Sequence, residues 1–467
     1  MTHFDSRITR RWFTMASLVN LAVLTRYASG AGDSAGPWSG PALVRTVFLI
    51  SQKPTWPRPD VDAQQEMAAI HAQLEELAAR HPGRLRYTGG DLLREGADIS
   101  SWIDQAKDAD VVLAFNLSSG LGPILQKVVS TRRPTLLFSR PYAGHSWTTF
   151  SDFARQGIPA DVIASSDFGE LDVYVPLFRT IHFLRNSRVM LVSPPDRPRR
   201  ADEYTARFGT SFLYPSYADL KEAFLGADIA AARREAAAFC RAALKVVEPS
   251  EAEVADSFRL YHGIAEFMRR QKANAIAIDC LGGFARGELP AYPCVAFSRL
   301  NDAGQFGVCE CDLASTMTQM LVTSFSNMPG FVTDPVFDTS RNEVIHAHCV
   351  AATRLAGIGG PASPYLVRSH LEDNKGVSMQ VLAPESGTVT VARFAGAGKF
   401  LISTAEVIGN ADGPRGCRTK IRTRVSDARK FLRAYSAGLH RVLFYGDHTE
   451  NVERLGRLTG FQVVREI

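Results

Sequence analysis

The sequence lacks any run of about 18 uninterrupted apolar residues, the length that a membrane-spanning helix needs. Its hydrophobic content of 45% is ordinary for a globular protein. We therefore expect the mature protein to have no membrane span. A chain of 467 residues is too long for one hydrophobic core, so we expect two or three domains.

A strong excess of charge of one sign is also missing. The chain has 53 basic and 48 acidic residues, a formal net charge of +5. Residues 1–31 contribute four arginines against one aspartate, so the remainder of the chain is nearly neutral. Proteins that bind nucleic acid usually present a concentrated basic face. The composition therefore gives no indication of nucleic-acid binding, and we expect no nucleic-acid partner.

The cysteines do not form an even set. There are seven, and an odd number does not fit a complete disulfide framework. Cys309 and Cys311 flank Glu310, but two alternating thiols would need two further ligands nearby to hold zinc. We favour free buried thiols over a zinc site.

The N-terminus does contain the parts of a twin-arginine export signal. Arg10-Arg11 is followed by the aromatic pair Trp12-Phe13, a short apolar core over residues 15–24, and small residues at 28–31. These parts occur in the order that export requires. The alternative is an amphipathic first helix with a chance arginine pair.

We predict a signal peptide over residues 1–31 and a flexible leader rich in glycine, serine and proline over residues 32–41. We therefore expect export by the twin-arginine route to a periplasmic or other extracytoplasmic location. That route is understood to carry proteins already folded in the cytoplasm. Free thiols and a preloaded metal ion are compatible with it.

The first part of the chain alternates apolar runs with helical spacing. Residues 44–50, 110–115 and 135–138 are buried-strand candidates, and residues 62–80 and 122–130 have helical periodicity. This alternation is typical of a parallel sheet with helical crossovers. We predict an N-terminal α/β domain over residues 42–180.

A second α/β pattern follows. Strand candidates at 187–192, 274–281 and 306–310 are interleaved with long helical segments at 228–247 and 250–271. We predict a middle α/β domain over residues 181–330. Both domains are expected to be Rossmann-like.

The pattern changes after Pro329. Short strand candidates follow at close spacing, separated by turn residues, and the chain ends in a helix, a strand and a helix between residues 426 and 458. We predict a β-rich, barrel-like domain over residues 331–467. The fold class is therefore α/β, with two α/β domains followed by this β-rich domain.

Acids and histidines near breaks in apolar runs are the candidate chemical groups. They are Glu310, Asp334, Asp338, His346, His348, His370, His440 and His448. Any one alone is more simply a helix cap or a hydrogen-bonded core group. Together they could supply the oxygen and nitrogen ligands of a divalent metal ion.

The order of motifs resembles the L-fucose/L-arabinose isomerase superfamily, and most closely the fucose-isomerase-like proteins. The matching residues are Leu300-Asn301-Asp302-Ala303-Gly304, Cys309-Glu310-Cys311-Asp312, Phe331 with Asp334, and His348-Cys349. Glu310 and Asp334 lie 24 positions apart, as the two acids do in the fucose enzymes. The ordered set is specific, although each short piece alone is weak.

The resemblance implies two α/β domains, a β-rich C-terminal domain, and aldose–ketose interconversion of a free sugar through a cis-enediol. It implies a divalent metal ion, usually Mn²⁺, and a homo-oligomer, trimeric or hexameric, in which a neighbouring subunit completes the site. Glu310 and Asp334 match the catalytic acid/base pair and metal ligands. His348 matches the histidine ligand and His440 a late ligand. Possible substrate-binding residues are His370, Asp312 and Arg441.

Two positions differ from the family pattern. Arg441 stands where the second member of a His-His pair is usual, and Val350 stands where glycine often follows His-Cys. Two alternatives therefore remain: a related metal-dependent epimerase or lyase acting on a sugar or sugar acid, and a non-catalytic exported sugar-binding protein with two α/β lobes. Metal content separates the enzymes from the binding protein.

Overall fold

The computed structural model describes residues 40–195 and 200–467. The predicted signal peptide lies outside the described residues, as does all but the end of the predicted leader. Across the described ranges, no helix is long and apolar enough to cross a membrane.

Strands and helices alternate in the first part of the described chain. Its elements are β1 (Ala42–Ile50), α1 (Ala63–Arg80), β2 (Leu85–Arg94), α2 (Ser100–Ala106), β3 (Val111–Asn116), α3 (Gly122–Val129), β4 (Thr135–Ser139), α4 (Phe150–Arg155), β5 (Ala160–Ala164) and α5 (Val175–Asn186). The strands form one parallel sheet in the order β2-β1-β3-β4-β5. The strands β3 and β4 are buried throughout because helices cover both faces of the sheet.

The second part of the chain repeats this alternation. Its elements are β6 (Arg188–Val192), α6 (Ala201–Phe208), β7 (Ser211–Leu213), α7 (Tyr217–Gly226), α8 (Ile229–Ala242), β8 (Lys245–Val246), α9 (Glu251–Gln271), β9 (Ala275–Ile278), α10 (Cys280–Ala285), α11 (Cys294–Asp302), β10 (Phe306–Cys309) and α12 (Leu313–Ser326). Four of its strands form a parallel sheet in the order β10-β9-β6-β7. Ser250 and Glu253 close a capping box that starts the long helix α9.

Both parallel sheets share one strand order. Numbered within each sheet, the strands run 2-1-3-4-5 in the first and 2-1-3-4 in the second. The Rossmann order is 3-2-1-4-5-6, whereas 2-1-3-4-5 is the other common order of doubly wound sheets. The predicted parallel-sheet α/β units are therefore confirmed. The prediction that both are Rossmann-like is not confirmed.

The third part of the chain is built around a closed antiparallel sheet. Its elements are β11 (Phe331–Asp338), β12 (Glu343–His348), β13 (Tyr365–Arg368), β14 (Ser378–Val381), β15 (Thr388–Phe394), β16 (Lys399–Asn410), β17 (Thr419–Arg424), α13 (Ala428–Ala434), β18 (Arg441–Tyr445), α14 (Thr449–Thr459) and β19 (Gln462–Arg465). The order β15-β18-β11-β12-β17-β16 closes because β15 also pairs with β16. This confirms a barrel-like C-terminal sheet.

The end of the chain belongs to this barrel. The strand β18 lies between β15 and β11 and pairs antiparallel with both. The strand β19 adds to β16 in parallel. The closing segment of the chain therefore supplies two strands to the barrel. The predicted domain boundaries near residues 180 and 330 stay a prediction.

One contiguous hydrophobic core joins the two parallel sheets and the barrel, and a fourth, three-stranded sheet has the order β14-β13-β8. The core includes Val44 of β1, Val308 of β10, Met317 of α12 and Phe444 of β18. The helix α12 lies at its centre, since Met317 is completely buried there. The end of β10 and the barrel strands are thereby held against each other, and the candidate site lies where they meet.

Candidate metal centre

Four of the predicted site residues converge from four separate elements. Glu310 directly follows β10, Asp334 lies within β11, His348 ends β12, and His440 directly precedes β18. We call these four residues the acid–histidine cluster. One comes from the middle parallel sheet and three from the barrel.

The distances within the acid–histidine cluster are those of a shared cation site. His348 Nε2 lies 3.9 Å from Glu310 Oε1 and 3.9 Å from Asp334 Oδ2. His440 Nε2 lies 3.5 Å from Glu310 Oε2 and 3.3 Å from Asp334 Oδ1. One ligand atom each from Glu310, His348 and His440 lies within 4.8 Å of the others. A single ion could contact all three.

Two buried polar atoms in the cluster are left without hydrogen bonds. Asp334 Oδ1 and His440 Nε2 have no hydrogen-bond partner among the described residues, although they lie 3.3 Å apart. An unsatisfied buried polar group costs about 1–3 kcal/mol, so each one requires an explanation. A divalent cation would satisfy both atoms. The donor set, with two carboxylates and two imidazoles, fits such an ion.

The backbone at Glu310 is strained. Glu310 has φ of 57° and Cys311 has φ of 49°, so two successive non-glycine residues are left-handed. A left-handed residue costs roughly 1–2 kcal/mol, and such strain concentrates at functional sites. The Cys311 N–H donates to Ile278 O at 3.0 Å and holds this turn. The turn brings Glu310 from the end of β10 to the barrel residues.

His440 is held through its other ring nitrogen. His440 Nδ1 lies 2.7 Å from Asp312 Oδ2. With Nδ1–H donating to this carboxylate, Nε2 is the atom that faces Glu310 and Asp334. Carboxylate–histidine pairs of this kind are typical of metal ligands in proteins, because they fix the ring's tautomer and orientation.

The negative charges of the two cluster carboxylates favour the binding of a cation. Burial disfavours the charged imidazole of His440, but the hydrogen bond to Asp312 and the nearby carboxylates of Asp334 and Glu310 outweigh it and raise its pKa to about 11. Contact with His440 lowers the pKa of Glu310. Burial raises the pKa of Asp334, but the imidazoles of His440 and His348 lower it by a larger amount. The net shift is therefore downward. Both carboxylates are therefore ionised at neutral pH.

His348 lies in very different surroundings. Cys309 Sγ is 3.3 Å from its Nε2 and Cys349 Sγ is 3.4 Å from its Nδ1. Burial lowers the pKa of His348, which keeps the ring neutral. The Cys349 N–H donates to Nδ1 at 2.9 Å. Coordination through Nε2 would move the ring proton to Nδ1 and cost that hydrogen bond.

No disulfide bond links the thiols near His348. All seven cysteines lie in the described ranges, and each is present as a thiol. Cys294 Sγ lies 3.6 Å from Cys349 Sγ. Within the described ranges, no cysteine belongs to a group of three ligands with metal-binding spacing, so the zinc alternative at Cys309 and Cys311 gains no support.

Three other candidates lie outside the acid–histidine cluster. Asp338 is half-buried and accepts a hydrogen bond from Ser340 Oγ. His346 is buried, with its ring nitrogens 3.3 Å and 3.1 Å from the hydroxyls of Thr333 and Thr423. The His448 ring lies 2.8 Å from Tyr445 O. These contacts are those of structural residues.

The structure corrects the substrate-binding role that was predicted for Arg441. Arg441 is fully buried, and it donates to Glu466 Oε2 at 3.0 Å and to Oε1 at 2.7 Å. Its guanidinium also stacks 3.9 Å from the ring centroid of Tyr435. A side chain enclosed in this way has no face for a substrate, so the predicted substrate-binding role is wrong and Arg441 is structural.

The other two possible substrate-binding residues lie in different places. His370 is buried beside Tyr292, with ring centroids 5.4 Å apart, and its Nδ1 is 3.5 Å from Asp373 Oδ1. It does not join the acid–histidine cluster. Asp312 lies behind His440, as described above. Substrate contact by either residue stays a prediction.

A cavity opens beside the cluster. Its volume is about 610 Å³, within the range of small-molecule sites, and Glu310 and His440 are among the residues that line it. Tyr204 of α6 and Arg393 of β15 line its other side. A substrate could reach two cluster residues from this cavity.

No protein-family model matches the chain, and no curated protein matches it in sequence. The resemblance to the isomerases therefore rests on the residues of the motifs. What the chain does has to be argued from the geometry of the acid–histidine cluster.

Sequence reasoning missed Arg393, which bonds to Asp312 with Nη1–Oδ2 at 2.6 Å. It is the one charged residue in the otherwise uncharged strand Thr388–Phe394. A lone arginine in a buried strand indicates a specific acidic partner, because an unpaired buried charge is costly. That signal was available in the sequence, although it could not identify the partner.

Proposed function

We propose that the protein is a metal-dependent aldose–ketose isomerase acting on a free sugar. The observation that carries the proposal is the convergence of Glu310, Asp334, His348 and His440 from four elements, with two of their buried atoms unpaired. These are the residues that the resemblance to the fucose and arabinose isomerases implies as ligands.

The chemistry needs a base beside a polarised carbonyl. A C–H next to a carbonyl is a poor acid, and a divalent ion bound at the cluster supplies positive charge that stabilises the enediolate. Glu310 and Asp334 are ionised, so either carboxylate can accept the proton from one sugar carbon. The same group or its neighbour returns the proton to the adjacent carbon, while the hydroxyl proton passes from O2 to O1, and together these transfers convert aldose to ketose through the cis-enediol.

The ligand set also bears on the ion. Carboxylates suit hard ions such as Mn²⁺, whereas imidazoles suit Fe²⁺ and Zn²⁺. A set with two of each accommodates Mn²⁺ or a similar divalent ion. We propose Mn²⁺, which is the usual ion in the family that the motifs resemble.

His440→Ala is expected to weaken Mn²⁺ binding by about 100-fold or more, because it removes the imidazole whose Nε2 is the proposed ligand atom. Mn²⁺ affinity can be measured by competition with a chromogenic chelator. His448→Ala is the matched control, since His448 also adjoins β18 but contacts Tyr445 O outside the cluster. Equal Mn²⁺ affinity in the wild type and His440→Ala would remove His440 from the proposed centre.

We also propose that the protein is exported through its N-terminal segment. Changing Arg10 and Arg11 together to lysine is expected to hold the full-length precursor in the cytoplasm, because the arginine pair is the feature recognised by the twin-arginine route. Cell fractionation with N-terminal sequencing of the wild type should find a periplasmic chain lacking residues 1–31. A lysine variant processed and exported like the wild type would contradict the proposal.

A further inference from the structure

Arg393 is a buried cation in an apolar strand. It is 8% exposed and lies in β15, between Ala392 and Phe394, which are both buried. Moving a guanidinium out of water is costly unless hydrogen-bonding partners replace the water. The identity of those partners shows what the charge does.

The guanidinium of Arg393 connects three segments of the chain. Nη1 donates to Asp312 Oδ2 at 2.6 Å, and Nη2 donates to Asp312 Oδ1 at 3.1 Å. Nη1 also donates to Ser315 Oγ at 2.9 Å, and Nε donates to Ala437 O at 2.7 Å. The two-pronged contact fixes the carboxylate plane of Asp312, and the contact with Ala437 anchors the segment that leads to His440.

Asp312 passes this constraint on to the acid–histidine cluster. Its Oδ2 lies 2.7 Å from Nδ1 of His440, whose Nε2 faces Glu310 and Asp334. The series Arg393–Asp312–His440 therefore begins in a barrel strand, passes through the start of α12, and ends at the cluster.

Helix capping alone does not explain this arrangement. Asp312 does cap α12, accepting from Ser315 N at 3.1 Å. Asp62 and Asp427 cap α1 and α13 by accepting backbone N–H groups, and neither is paired with an arginine within the described part of the chain. The arginine fork and the imidazole contact at Asp312 are additional to what a cap needs.

We infer that Arg393 is a positioning residue for the proposed metal centre. It holds the Asp312 carboxylate in a fixed plane, and Asp312 in turn directs His440 Nε2 toward Glu310 and Asp334. The inference deepens the proposed function and rests on it only in taking His440 as a ligand. Arg393 itself touches neither the cluster nor, on this account, the metal ion.

The test compares Mn²⁺ affinity in the full-length wild type, Arg393→Met, Arg393→Lys and Asp312→Asn. Arg393→Met and Asp312→Asn should each lose about 10- to 100-fold, the usual effect of removing a partner that orients a ligand. Arg393→Lys keeps the charge without the fork and should fall between wild type and Arg393→Met. Because lysine is the milder change, it keeps the test informative if Arg393→Met does not fold.

The matched control is Arg422→Met, which breaks another arginine–carboxylate pair of the barrel, with Arg422 Nη2 2.7 Å from Glu343 Oε2. It should lower thermal stability without changing Mn²⁺ affinity. If Arg393 had only a structural role, Arg393→Met would also lower thermal stability without changing Mn²⁺ affinity. That result would overturn the inference.

A double-mutant cycle gives the second readout. If Arg393 acts through His440, the pair Arg393→Met with His440→Ala should bind Mn²⁺ as weakly as His440→Ala alone. If the double variant instead lost Mn²⁺ affinity by the product of the two single-variant losses, Arg393 would act independently of His440. That result would overturn the inference. A protein that binds Mn²⁺ with this Arg393 dependence but forms no ketose would contradict the isomerase proposal and leave the positioning role standing.

Discussion

Glu310→Gln is expected to lower kcat/KM for ketose formation by about 10⁴-fold, the upper end of what one acid/base group contributes. The amide has nearly the shape of the carboxylate, but it cannot accept a proton from a sugar carbon and is a poorer ligand for a divalent ion. The left-handed backbone at Glu310 is equally available to glutamine, so the fold should be unchanged. Enzyme assays with circular dichroism and thermal unfolding measure both effects.

A matched pair on one strand controls for the general loss of acidic charge. Asp334→Asn should resemble Glu310→Gln, whereas Asp338→Asn should keep wild-type activity, because Asp338 lies at the far end of β11 and contacts Ser340. Activity of Glu310→Gln within tenfold of the wild type would remove Glu310 from the catalytic machinery.

Arg441→Met should lower the free energy of unfolding by about 3–5 kcal/mol, because it leaves Glu466 buried without its partner. The two side chains are 0% and 2% exposed, so solvent offers little compensation. Urea unfolding followed by tryptophan fluorescence measures the loss. A residue that bound substrate would show the opposite pattern, with turnover reduced and stability kept.

The double variant Arg441→Met with Glu466→Leu separates the cost of an unpaired charge from the cost of altered packing. Replacing both members of a buried ion pair with apolar groups is often close to neutral. The double variant should therefore recover most of the stability that Arg441→Met loses. A single variant that loses less than about 1 kcal/mol, the range of a surface ion pair, would contradict the structural role of Arg441.

Apolar runs predicted most of the fold, and the missed strands lack them. The segments that became β1, β3 and β4 are nearly uninterrupted apolar sequences, because both faces of a parallel sheet are covered. In contrast, β17 (Thr419–Arg424) has the sequence TKIRTR and only one large apolar residue. Its strand conformation depends on pairing with β12 and β16 in the barrel. Local sequence does not contain that information.

The site shows a similar division. Glu310, Asp334 and His348 could be predicted because ordered motifs surround them. The Asp312–Arg393 contact joins residues 81 positions apart and has no local pattern that pairs them.

The error at Arg441 had a physical warning in the sequence. Adjacent residues in an extended chain point to opposite faces. If His440 faces the cluster, its neighbour Arg441 faces away from it, and the structure shows it bonded to Glu466. The family's His-His position therefore could not be transferred to Arg441 by adjacency alone.

We propose that the acid–histidine cluster binds a divalent ion and isomerises a sugar. Both properties can be measured together by titrating Mn²⁺ into chelator-treated protein and following ketose formation across a panel of aldoses and uronic acids, with ketoses assayed in reverse. We expect conversion of at least one sugar, with activity rising until one ion is bound per chain and disappearing again with chelator. A protein that binds no Mn²⁺, Co²⁺ or Zn²⁺ and converts no sugar in the panel would contradict the proposal.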